Sequence, residues 1–159
     1  MEQQKVTQLG DVIHLRGCIE MALQGPAGEL IEYRKNDNTV VTSGRSWVLS
    51  RIMSQGADTN TIGYIGVGTS TTAPSTADTA LVSESLRLAI ATFITGGLTA
   101  NPPSWQAQVT FATNQANTTL GEAGLFNSSA VGTMLSHVTF ATVNKTTSNT
   151  LAISYTISN

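Results

Sequence analysis

Two stretches in the second half of the chain alternate strictly between two kinds of side chain. Residues 105–111 and 151–157 both place apolar residues at odd positions and Gln, Ser, Thr or Ala at even positions. Successive side chains of a β-strand point to opposite faces, so a period of two gives a strand one buried and one solvated face. Such strands must pair in a sheet whose apolar face packs against a second layer.

The first half of the chain carries the same signals in shorter runs. Residues 18–24 alternate, residues 25–28 contain turn formers, and residues 30–34 lead back, which together predict a hairpin. Residues 62–67 combine β-branched and aromatic residues with glycines and predict a buried strand. The Ser/Thr/Pro-rich segment that follows, residues 68–79, predicts a loop.

One short helix interrupts the strands. Ser43 is a candidate N-cap, the helix would run through Trp47, Leu49 and Ile52, and Gly56 would end it. We therefore expect an all-β fold, a single antiparallel β-sandwich over residues 17–159, with residues 1–16 as an extended N-terminal arm. The period does not encode strand order, so jelly-roll and immunoglobulin-like topologies both remain open.

Composition narrows the classes of function. The chain has 159 residues, of which 40% are apolar and 11% charged, and its net charge is -2. That apolar content argues against disorder, and eight Lys and Arg against ten Asp and Glu leave no basic field for nucleic acid. No run of about 18 apolar residues predicts a membrane span, and the polar N-terminus lacks the apolar core of a secretory signal.

Charge nearly disappears after Arg87. Glu122 and Lys145 are the only Asp, Glu, Lys or Arg residues in the rest of the chain, where Thr, Ser and Asn provide the polarity. A surface of hydroxyls and amides stays hydrated, yet it carries little charge for catalysis or for repelling neighbouring copies. This pattern favours assembly over chemistry.

The residues that could carry chemistry are few and scattered. His14 and His137 lack a second ligand at metal-binding spacing, so we expect both to be structural or solvent-facing, with His137 on the exposed face of a strand. The glycines of residues 63–69 match neither phosphate-binding fingerprint, because no Gly-Lys-Ser/Thr follows and the spacing is wrong. The sequence therefore predicts no catalytic residue, no metal site and no cofactor.

A glycosidase would be the main enzymatic alternative. It would need two carboxylates to converge across a cleft, and the candidates are Asp58, Asp78, Glu84 and Glu122. Asp78 and Glu84 are better explained as a capping residue and a solvated residue around residues 79–85. A serine hydrolase would need a nucleophilic serine in a Gly-x-Ser-x-Gly motif near one of the histidines. The sequence contains no such motif, which argues against this class of enzyme.

Several motifs, in order along the chain, resemble a group of tailed-bacteriophage virion proteins. The most specific is residues 63–69, which run through residues 72–74 to residues 78–81. The resemblance covers about residues 17–157, and its other motifs are residues 38–45, 122–127, 132–135, 143–146 and 155–157. Members are labelled structural, decoration or tail-fibre proteins, so the resemblance implies a place in the virion and no catalytic residues.

Together, the composition and the resemblance predict a non-enzymatic capsid decoration, or cement, protein. It would bind the major capsid protein on the outer surface of the head as a homo-oligomer, with a trimer as the first expectation and a dimer as the second. The arm could add a strand to a neighbouring subunit, with an interface formed by Val6, Leu9, Val12 and Ile13. The alternative is a host-binding module associated with the tail or a fibre.

Overall fold

A computed structural model describes residues 14–52 and 60–159 of the chain. These residues form two five-stranded antiparallel sheets, which confirms the expected all-β sandwich. Sheet A consists of β1 (Arg16–Gln24), β2 (Leu30–Asp37), β6 (Thr92–Ile94), β7 (Ser104–Phe111) and β10 (Thr150–Ser158). Sheet B consists of β3 (Thr39–Val40), β4 (Tyr64–Gly68), β5 (Glu84–Ala89), β8 (Thr119–Phe126) and β9 (Met134–Asn144).

The strand order is the part of the architecture that the sequence left open. Sheet A has the order β2-β1-β10-β7-β6, and sheet B has the order β3-β9-β8-β4-β5. The first and last strands are therefore neighbours, paired from Arg16 opposite Ser158 to Gln24 opposite Thr150. This long-range pairing closes the described chain on itself inside sheet A.

The two sheets pack through the apolar sides of their alternating strands. Ile19, Met21 and Leu23 of β1 belong to one buried cluster with Ile65 and Val67 of β4. The odd-numbered residues 151–157 of β10 join the same cluster, as their period predicts. The Tyr155 hydroxyl also donates a hydrogen bond across the core to the Ala123 carbonyl at 3.3 Å.

Helix α1 (Thr42–Ile52) confirms the expected helix but differs in detail. The Ser43 hydroxyl donates to the Met134 carbonyl instead of capping the helix. Leu49 and Ile52 are exposed. The helix instead places its buried Gly44 against the backbone of β9, because a glycine allows a closer approach than any larger residue. Gly56 lies outside the described residues.

The arm is described over its last residues alone. The His14 amide donates to the side-chain oxygen of Asn159 at 3.0 Å, and Leu15 packs against the core. The predicted interface residues Val6, Leu9, Val12 and Ile13 lie outside the described residues, so their role stays a prediction. No helix in the described ranges is long and apolar enough to cross a membrane.

Candidate functional site

A cluster of three ionisable side chains, two of them fully buried, lies on the outer side of sheet B. His137 of β9 contacts the carboxylate of Asp78 through Nδ1 at 2.7 Å and that of Glu122 of β8 through Nε2 at 3.0 Å. His137 and Glu122 are fully buried. The expectation that His137 faces solvent is therefore wrong, because a loop covers this face of the strand.

Backbone amides also bind both carboxylates of this cluster. Glu122 also accepts the amides of Val82 at 3.0 Å and Ser83 at 2.7 Å, and Asp78 accepts the amide of Ser75 at 2.8 Å. Both carboxylates thus accept backbone N–H groups, and each ring nitrogen of His137 lies within hydrogen-bond distance of one of them. Burial alone would raise the pKa of Asp78, but the hydrogen bonds from Ser75 and His137 outweigh burial and lower it.

The cluster fastens residues 69–83 over sheet B. Leu81 from this loop packs with Val41, Phe126 and Met134 in a second apolar cluster, separate from the main core. Sheet B is consequently covered on both faces, which explains why seven of the eight residues of β8 are buried. Both ring nitrogens of His137 are occupied by internal partners, so the geometry suits a structural tie.

Asp78 and Glu84, two of the four candidate carboxylates, have different partners in the structure. Asp78 accepts the Ser75 amide as a turn-capping residue would, and it also contacts His137. Glu84 pairs with Arg87, whose Nη1 donates to the carbonyls of Ser128 and Val131, each at 2.9 Å. Asp58 lies outside the described residues. Among the described residues, no group of three His, Cys, Asp or Glu side chains could hold a metal ion.

Lys145 is the other charged residue of the second half, and it too is buried. Its Nζ donates to the Ala112 carbonyl at 2.7 Å and to the Asn117 side-chain oxygen at 2.9 Å. Burial lowers the pKa of this ammonium. Because Glu122 and Lys145 are respectively 0% and 1% exposed, residues 88–159 present no Asp, Glu, Lys or Arg side chain to solvent.

The outer face of sheet A carries no charged side chain on β7 and β10. On β7 and β10, Gln106 donates to Thr156 at 3.1 Å, and Gln108 donates to Gln106 at 3.1 Å and to Ser154 at 3.4 Å. Thr110 is exposed in the same face. These side chains are on the polar side of the strand, as the alternation predicts.

Exposed apolar residues also lie on both edge strands of sheet A. The edge strand β2 exposes Leu30, Ile31 and Tyr33. At the opposite edge, β6 exposes Phe93 and Ile94, and the Phe93 ring lies 6.0 Å from that of Trp105. The period of two did not reveal these residues, since it marks alternation but cannot tell an edge strand from a central one.

The comparisons with known proteins are negative. No family model, curated protein or solved structure matches this chain. The geometry and the sequence motifs are therefore the basis for any statement about function.

Proposed function

We propose that this chain is a non-enzymatic structural protein of a tailed-phage virion, and specifically a capsid decoration protein. It would bind the outer surface of the head as a homo-oligomer and stabilise it by bridging subunits of the major capsid protein. The observation that carries this proposal is the uncharged outer face of sheet A on β7 and β10, with its mutually bonded Gln, Ser and Thr side chains.

The physical argument concerns the cost of docking. Burying a charged group against a partner costs several kcal/mol of binding free energy unless the charge is paired. This cost is on the same scale as the other free-energy costs of association. Gln106 and Gln108 already satisfy part of their hydrogen-bonding capacity within the sheet. A face of this kind can be covered by another protein surface without leaving an unpaired charge behind.

The motifs that resemble phage virion proteins support the same proposal. Three of their charged residues, Asp78, Glu122 and Lys145, bind partners within the chain and hold loops in place. The glycine-containing motif of residues 63–69 lies largely in β4, an interior strand of sheet B between β8 and β5. Motif residues with internal structural roles fit a protein whose function depends on its folded structure and not on catalysis.

Copy number in purified virions tests the proposal. Quantitative mass spectrometry against the major capsid protein should give hundreds of copies for a decoration protein. A few multiples of three or six would instead assign it to the tail. Absence from virions would overturn both assignments.

A tail- or fibre-associated host-binding module is the second candidate. The exposed Phe93 beside Trp105 favours it, because aromatic faces stack on sugar rings. Low copy number together with binding to host cells, lost in Phe93→Ala, would support this role over capsid decoration.

A further inference from the structure

A depression on the outer face of sheet A lies beside an exposed tyrosine. Tyr33 of β2 is opposite Ala22 of β1, which is opposite Ala152 of β10, which is opposite Thr110 of β7. The two alanines leave a depression of about 250 Å³ between the larger side chains of Tyr33, Gln108 and Thr110. One row of the sheet therefore contains both a projection and a recess.

The projection is exposed in the isolated chain. Tyr33 is 48% exposed, and Leu30, nearby at the same end of β2, is 61% exposed. Tyrosine is among the residues most enriched at the centre of protein interfaces, because it offers a large apolar surface with one polar end. A partner that covers this row would bury Tyr33 and fill the recess.

The neighbouring row supplies matched charges. Lys35 of β2 is opposite Glu20 of β1, and their side chains form an ion pair at 2.6 Å. Beyond Glu20, this row continues with the uncharged Ser154 and Gln108. A row with one positive and one negative charge side by side is complementary to its own copy turned about a two-fold axis.

We propose that the outer face of sheet A over β2, β1 and β10 binds a second copy of this chain through a two-fold axis parallel to the strands. Strands are about 4.8 Å apart, so an axis midway between Tyr33 and the two alanines places each Tyr33 in the partner's recess. The same axis brings Lys35 of each copy over Glu20 of the other.

The proposed dimer leaves β7 and β6 beyond the partner's β2. It specifies the homo-oligomer of the proposed function, and to that extent rests on it, while β7, whose Gln108 and Thr110 line the recess, otherwise remains open for the capsid. Dimerisation is measured on the purified protein without capsids, so its failure is distinguishable from a failure of the capsid role.

The first experiment is sedimentation velocity of the full chain over a range of concentrations. The wild type should form a dimer. Tyr33→Ala should weaken dimerisation at least about tenfold, the scale of a residue at an interface centre. Ala152→Leu, which fills the recess without removing a contact, should do the same, and Phe93→Ala, an exposed aromatic at the other edge, should match the wild type.

The second experiment exchanges the charges. Glu20→Lys and Lys35→Glu should each weaken the dimer, because each gathers four like charges at the axis, and the double variant should restore it. Circular dichroism confirms that every variant is folded. A monomeric or trimeric wild type, or a dimer unaffected by Tyr33→Ala and Ala152→Leu, would overturn the proposal.

Discussion

The last three charged residues along the chain, Arg87, Glu122 and Lys145, act inside the fold. Glu122 and Lys145, which stand out in the sequence because charges are so sparse there, are both buried with internal partners. Arg87 similarly lies over the Phe126 ring at 3.4 Å while it holds the loop carbonyls of Ser128 and Val131. The few charged side chains in this part of the chain thus hold segments of the fold together.

Removing His137 should destabilise the protein strongly. His137→Leu leaves the buried Glu122 carboxylate without the ring nitrogen that contacts it, and we expect a loss of about 3 kcal/mol in the free energy of unfolding, measured with urea. His14→Leu, at an exposed histidine, is the control and should change it by about 0.5 kcal/mol or less. Near-equal losses in both variants would contradict the structural tie.

Asp78 should make stability depend on acidity. Hydrogen bonds from Ser75 and His137 hold its folded-state pKa below the ordinary value of 3.8, so the unfolded chain binds this proton more readily. The stabilisation is present above pH 3.8 and is lost as pH falls through the lower, folded-state pKa.

The stability curves of the wild type and Asp78→Asn should therefore converge on acidification. Unfolding at a series of pH values measures the difference between them. Asp37→Asn, at an exposed position on β2, controls for the loss of one carboxylate. A wild-type advantage that stays constant to the lowest pH would refute this linkage.

At the scale of elements, two covering segments shape sheet B. The loop of residues 69–83 and helix α1 both pack against β9, one through Asp78 and the other through Gly44 and Ser43. Sheet A has no such cover over β7 and β10 among the described residues. The two sheets thus differ in the exposure of their outer faces, although strands of both sheets show the same alternation of apolar and polar residues.

The contact of α1 with β9 reverses an ordinary helix preference. In an isolated helix, replacing glycine with alanine stabilises by about 1 kcal/mol. At Gly44 the added Cβ would overlap the backbone of Leu135, so Gly44→Ala should destabilise by about 1–3 kcal/mol in thermal or urea unfolding.

Ser46→Ala provides the matched control on the exposed side of the same helix. It should leave stability unchanged or raise it by about 0.5 kcal/mol or less, because alanine is the better helix former. Stabilisation by both substitutions would show that α1 does not press on β9.

At the scale of the whole molecule, the outer face of sheet A should govern attachment. Changing Gln106, Gln108 and Thr110 to Lys places three uncompensated charges on the proposed capsid surface. We expect at least tenfold weaker co-sedimentation with heads that lack the protein, and an unchanged far-UV spectrum.

Thr147→Lys, in an exposed turn, controls for added charge. It should bind heads as the wild type does. Full retention of the triple variant on the particle would move the interface to another surface, and the arm would become the first candidate.

The sequence by itself determined the class of fold, because a period of two over many residues allows only strands with one buried face. It determined the buried side of β7 and β10, the hairpin of β1 and β2, and the presence of one short helix. These properties depend on neighbours along the chain, which the sequence contains directly.

The tertiary structure alone decided the strand order and the fate of the sparse charges. The pairing of β1 with β10 and the meeting of Asp78, Glu122 and His137 join residues far apart in the chain. Alternation assigned His137 to a polar face, but whether a polar face meets water depends on what folds over it. On β9 that cover is the loop of residues 69–83, whereas β7 and β10 keep their polar faces open.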